Sequence, residues 1–136
     1  MLRVALYIGL ATAGHFVWEV WHTGTPREIL SALLHCTGGD ILITTFTLAG
    51  AAALAWHFHW RAFGWRMVCT AILLGAAYTV FSEWLNINIR RSWSYTAAMP
   101  VLPLLGTGLT PLLQWVVVPG LAFATVMGWE RRRQRS

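Results

Sequence analysis

The sequence contains no lysine, and only five of its 136 residues are acidic. Charged residues make up 11% of it, against about 25% in a typical soluble domain. With 57% hydrophobic residues and a mean hydropathy of +0.55, this shortage excludes a disordered chain, a soluble nucleic-acid binder and a solvated α/β enzyme. It points to a polytopic membrane protein. Two cysteines are too few for a disulfide framework. Cys69, inside an apolar run, reads as a packing residue. Cys36, beside His35 in a polar connection, reads as a small buried residue, or else as a ligand or reactive thiol. Long alternations of period two are missing, which argues against a β-barrel. There is no internal repeat and no low-complexity linker, so residues 1–136 read as one transmembrane domain.

Four apolar stretches are present: Val4–Trp21, Ile41–Trp56, Met67–Leu85 and Leu109–Trp129. A spanning helix needs about 20 residues. The expected fold is therefore all-α, an integral membrane four-helix bundle with spans at about 4–22, 40–59, 67–86 and 109–129. The first stretch resembles a signal peptide, with Arg3 as its basic region and Ala11-Thr12-Ala13 as a cleavage motif. Its apolar core before that motif is only about seven residues, and the run continues past it, so it reads as a retained helix.

All ten basic residues are Arg, and the formal charge is +5. They lie at the ends of the apolar runs, as orientation signals do; nucleic-acid binding would gather them on one face. With four spans, one side holds Arg3, Arg61, Arg66, Arg131, Arg132, Arg133 and Arg135. The other holds Arg27, Arg90 and Arg91. Seven against three predicts cytoplasmic termini in a bacterial inner membrane. Trp56, Trp60, Trp65 and Trp129 then mark the inner interface, and Trp18, Trp21, Trp84, Trp93 and Trp115 the outer one.

The connections carry their own signals. Thr25-Pro26-Arg27-Glu28 is a capping box with Pro at the first helical position. It predicts a short outer-surface helix from Pro26 to about His35, ended by Gly38-Gly39, with Asp40 capping the second span. Thr110-Pro111 opens the fourth span, and Pro119 is expected to kink it. The third connection, Asn86 to Gly108, is too apolar for a solvated loop. It is expected to fold back on the outer face as a lid or re-entrant segment.

The polar residues fall in stripes. His15, Glu19 and His22 are spaced i, i+4, i+7 and share one helical face, an arc of about 60°. Asp40, Thr44 and Thr47 repeat the spacing, as do Thr79, Glu83 and Asn86. Thr107, Thr110 and Gln114 form a looser version. All four stripes, and four of the five acids, fall on the outer side. An ionisable group within a span usually faces the bundle interior, so the stripes predict one outward-facing cavity containing Glu19, Asp40 and Glu83. The Thr hydroxyls also have a bland explanation, because they bond back to their own helix. His57 and His59, flanked by Trp56 and Trp60, read as amphipathic anchors.

Three classes of function fit. Glu19-Val20-Trp21-His22 is an E-x-x-H step of the kind diiron bundles use. Its second copy, Glu83 to Asn86, has Asn where His would be. That favours a single Zn, Fe or Cu held by His15, Glu19, His22 and further ligands from His35, Asp40 and Glu83, in a redox or hydrolytic role. The second class is metal-free acid/base catalysis by Glu19, Asp40 and Glu83 on a lipidic substrate. The third is an accessory subunit contacting lipid and a membrane-protein partner.

Three resemblances accompany these readings. His15-x-x-x-Glu19 followed by Gly39-Asp40 resembles the opening motifs of the EXPERA family of membrane isomerases and sterol-binding proteins; Ala53 stands where that family has a later acid. Glu83-Trp84, with Trp93-x-Tyr95, Pro100 and Pro103, is similar to a pattern in carotenoid hydratases and cyclases. The chain as a whole resembles small uncharacterised bacterial four-helix inner-membrane proteins, through Ser82-Glu83-Trp84-Leu85-Asn86 and the segment from Met99-Pro100 to Gln114-Trp115. That last resemblance implies an inner membrane and a four-span fold.

Overall fold

A computed structural model describes residues 2–23, 36–60, 63–92, 94–95, 97 and 99–135, and only the backbone of residues 21–23. Helix α1 spans Leu2–Thr23, α2 Thr37–His57, α3 Trp65–Trp84 and α4 Leu109–Arg133. No strand occurs among the described residues; a single antiparallel bridge joins Val101 to Gly108. Helices α2, α3 (extended to Arg90) and α4 are long and apolar enough to cross a membrane. Helix α1 has 22 residues, about 33 Å at 1.5 Å per residue. The expected short helix at 26–35 lies outside the described residues.

Each helix packs on its sequence neighbours, and α1 closes the ring against α4. Small residues make this possible. Ala11, Ala51, Ala71 and Ala122 are buried at the helix contacts. Gly14 lies against Val118, and Gly75 lies under the ring of Trp115. Such residues let helix backbones approach closely. The apolar core gathers toward one end, around Tyr7, Leu48, Phe63, Met67, Val68 and Val126. Phe63 has a left-handed backbone, φ 42°, unfavourable for a bulky residue. Its ring is edge-on to Tyr7 at 5.7 Å and to Phe123 at 5.9 Å, and these contacts offset the strain. At the same end Arg3 forms an ion pair with Glu130, tying the start of α1 to the end of α4.

The outside of the bundle is apolar. Phe46 is 72% exposed and Leu73 69%. Helices that are hydrophobic all round suit a hydrocarbon surrounding. Cys69 lies on this outer surface. It is therefore not the packing residue its apolar neighbours suggest, because on a helix whose outer surface is itself apolar, apolar neighbours do not imply burial. Cys36 is exposed as well.

Two boundary expectations are corrected. Helix α2 begins at Thr37, so Gly38-Gly39 falls inside its first turn, and the N-cap position is Cys36. Asp40 is therefore not a cap; its side chain turns inward. Helix α3 continues beyond Trp84 as a π-helical turn, Leu85–Arg90, and stops where Arg91 adopts a left-handed backbone, φ 53°. Helix α4 stays continuous through the buried Pro119, whose missing N–H leaves the Trp115 carbonyl without its usual donor. The chain between α3 and α4 returns to the bundle end. Leu109 N–H donates to the Pro100 carbonyl at 2.8 Å, and Leu102 N–H to the Thr107 carbonyl at 3.0 Å.

Candidate functional site

Three helices bring their polar side chains to one nitrogen. Gln114 Nε2, from α4, lies 3.0 Å from His15 Nδ1 and 3.0 Å from Glu19 Oε1, both on α1. It lies 3.1 Å from Asp40 Oδ2 on α2. The two carboxylate oxygens are thus within about 6 Å of each other. His15 Nδ1 is also 3.6 Å from Asp40 Oδ2, an electrostatic contact too long for a hydrogen bond. The helical period explains the convergence on α1, because His15 and Glu19 are one turn apart on one face. On α2 the buried residues Thr37, Asp40, Thr44 and Leu48 trace the corresponding inward stripe.

The cluster crowds around one donor group. A primary amide has two N–H donors, and two carboxylate oxygens and an imidazole nitrogen lie within 3.1 Å of this one. Which of them it serves depends on the tautomer of His15. His15 is fully buried, and among the described residues its Nε2 has no hydrogen-bond partner; the same holds for Thr37 Oγ1 and Thr44 Oγ1. Buried polar atoms are nearly always hydrogen-bonded, so these three mark unused valence on the two helices that carry the acids. The ring of Trp115 covers His15, with centroids 4.9 Å apart and a 46° tilt.

Cys36 lies at the edge of the cluster, where its thiol bonds to Glu19. Loss of solvent around the thiol, the charges of Glu19 and Asp40, and the bond to Glu19 push it up to about 11. At neutral pH it is an S–H donor and not a thiolate. The side chains of His22 and His35, candidate ligands by sequence, lie outside the described residues.

Glu83 is engaged elsewhere, at the C-terminal end of α3. The Tyr95 hydroxyl donates to Glu83 Oε2 and accepts the Gly108 N–H at 2.6 Å. One phenol thus fastens the returning chain to both α3 and the start of α4. The other members of the α3 stripe bond back to their own helix. Thr79 Oγ1 donates to the Gly75 carbonyl at 3.0 Å, and Asn86 Nδ2 to the Ser82 carbonyl at 2.8 Å. In the α4 stripe, Thr110 Oγ1 meets Met99 Sδ at 2.7 Å. Only Gln114 reaches the acids. Among the described residues, no three or more His, Cys, Asp or Glu side chains are arranged to hold a metal ion.

Burial, then the bond to Glu83, raises the Tyr95 phenol from 10.0 to about 12. A group whose pKa is raised on folding contributes stability that is intact below its unfolded value and lost as pH climbs through the folded one. Stability in detergent should therefore fall between pH 10 and about 12. Tyr95→Phe should flatten that decline and lower stability at neutral pH by about 1 kcal/mol. Unfolding curves at several pH values measure both effects; an unchanged alkaline slope in Tyr95→Phe would contradict the assignment.

No family model, no curated protein and no solved structure matches the chain.

Proposed function

We propose that the chain is a small polytopic inner-membrane protein that crosses the bilayer four times, with cytoplasmic termini. In this reading the His15–Glu19–Asp40–Gln114 cluster opens toward the periplasm and binds one divalent metal ion, Zn, Fe or Cu, in a redox or hydrolytic role. The observation that carries the reading is the convergence of two acidic side chains and an imidazole, from α1 and α2, within 3.1 Å of one side-chain nitrogen. A cation held there would balance the two acids. Turning the Gln114 carboxamide over presents its oxygen in place of the nitrogen and converts a donor into a further ligand; the two orientations are nearly indistinguishable by shape. Of the set read from the sequence (His15, Glu19, His22, His35, Asp40 and Glu83), His15, Glu19 and Asp40 are the nucleus. His22 and His35 belong to segments adjoining it.

The test is metal content. Protein purified in detergent without chelator should carry stoichiometric metal, and Glu19→Ala should lose it. In right-side-out vesicles, a membrane-impermeant chelator added outside should strip it; retention there would reverse the sidedness. A metal-free wild type with an intact fold would overturn the metal reading.

A second reading, metal-free acid/base chemistry on a lipidic substrate, is favoured by His15 Nε2. This atom is buried with no hydrogen-bond partner among the described residues, and Asp40 lies 3.6 Å from Nδ1 of the same ring, so a base and an acid stand side by side. Under this reading Glu19→Gln keeps the fold and abolishes the activity.

A further inference from the structure

The opposite end of the bundle carries a different chemistry. Leu2 and Arg3 on α1, Trp129, Glu130 and Arg133 on α4, and Gln134 just beyond it line a groove of about 330 Å³. The Arg133 guanidinium lies over the Trp129 ring, 5.3 Å from its centroid. Glu130 is largely buried beneath its ion pair with Arg3. The lining therefore holds two cations and one anion. The exposed Arg131, Arg132 and Arg135 follow on the same helix end. Arg3 also lines a second cavity, of about 480 Å³, with Val4, Ala52, Ala55, Trp60 and Met67. Apart from Arg3, its lining residues are apolar or aromatic. A basic groove and an apolar cavity thus share one arginine at the end of helices long enough to cross a membrane.

We infer that this pair of cavities is a binding site for an anionic phospholipid. Its phosphate sits in the groove between Arg3 and Arg133, and an acyl chain runs into the apolar cavity. The complementarity is of charge at one end and hydrocarbon at the other, which a zwitterionic lipid or a soluble anion matches only in part. Arg is well suited to phosphate because its planar fork donates two parallel hydrogen bonds. Trp129 supplies an interfacial ring whose polar edge reaches the headgroup region. Basic residues at a membrane surface each favour anionic lipid by about fivefold.

The inference rests on the membrane reading and is independent of the metal. Detergent-purified protein is mixed with equimolar phosphatidylglycerol and phosphatidylcholine of the same chain lengths, and bound lipid is counted by native mass spectrometry. Wild type should retain phosphatidylglycerol over phosphatidylcholine by about fivefold or more. R133Q, which leaves the Arg3–Glu130 pair in place, should bring the ratio close to one. R135Q, outside the groove, should keep the wild-type preference. Equal retention of the two lipids by wild type, an undiminished preference in R133Q, or an equal loss in R135Q would each overturn the site. Lipid mass is read directly, so a missing metal does not alter the outcome.

Discussion

Gln114→Leu should destabilise the protein by about 3 kcal/mol, among the largest effects of any single substitution in the bundle. Leucine fills nearly the same space, so little packing is lost. What disappears is the donor at 3.0–3.1 Å from two carboxylates and an imidazole. Those groups stay where α1 and α2 put them, and His15 is fully buried, so water does not replace the donor at its ring. Reversible unfolding in mixed micelles measures the loss. The cause separates in a double-mutant cycle, because Asp40→Asn should cost clearly less in the Gln114→Leu background than in the wild type. Additive costs, or a Gln114→Leu variant within about 0.5 kcal/mol of wild type, would show that the amide does not hold the cluster together.

Gly75→Ala should cost about 1–3 kcal/mol through overpacking, although alanine is the better helix former. A β-carbon at Gly75 would lie 2.9 Å from Trp115 Cζ3 and 3.0 Å from Cδ2. An indole ring cannot turn aside there, because its other side covers His15. The strain therefore passes to the site: the His15 imidazole resonances should shift and its contact with Gln114 should weaken. Gly14→Ala is the informative contrast. Its β-carbon meets Val118 Cγ1 at 2.7 Å, a single methyl that a rotamer change can move, so the cost should be smaller and the His15 signals less affected. If the two glycines behave alike, Trp115 is not the element that transmits the strain.

Much of the fold is legible without coordinates. Four apolar runs and the i, i+4 repeat of His15 and Glu19 suffice to propose helices and an inward-facing polar stripe. The same method fails at Asp40. Next to Gly38-Gly39, an acid before an apolar run looks like a helix cap, and only the start of α2 at Thr37 shows that it lies one turn inside. It fails again at Cys69, because apolar neighbours signal burial only where the outer surface of the bundle is polar, and here that surface is apolar.

Gln114 is the instructive case. As one uncharged residue in an apolar helix it carries little signal, and its place in the loose Thr107-Thr110-Gln114 stripe gives no sign that its two companions bond elsewhere. Glu83 and Glu19 look alike in sequence, since each is an acid in an aromatic run. One meets Tyr95 twelve residues on; the other meets Gln114 of α4 and the Cys36 thiol just before α2. Periodicity acts within a helix, so the sequence by itself determined which residues share a face, how long the helices are and how charge is distributed along the chain. Which faces meet depends on where small residues let helices approach, as Gly14 does against Val118 and Gly75 against Trp115. That choice belongs to pairs of helices far apart in the chain, and only the tertiary structure decided it.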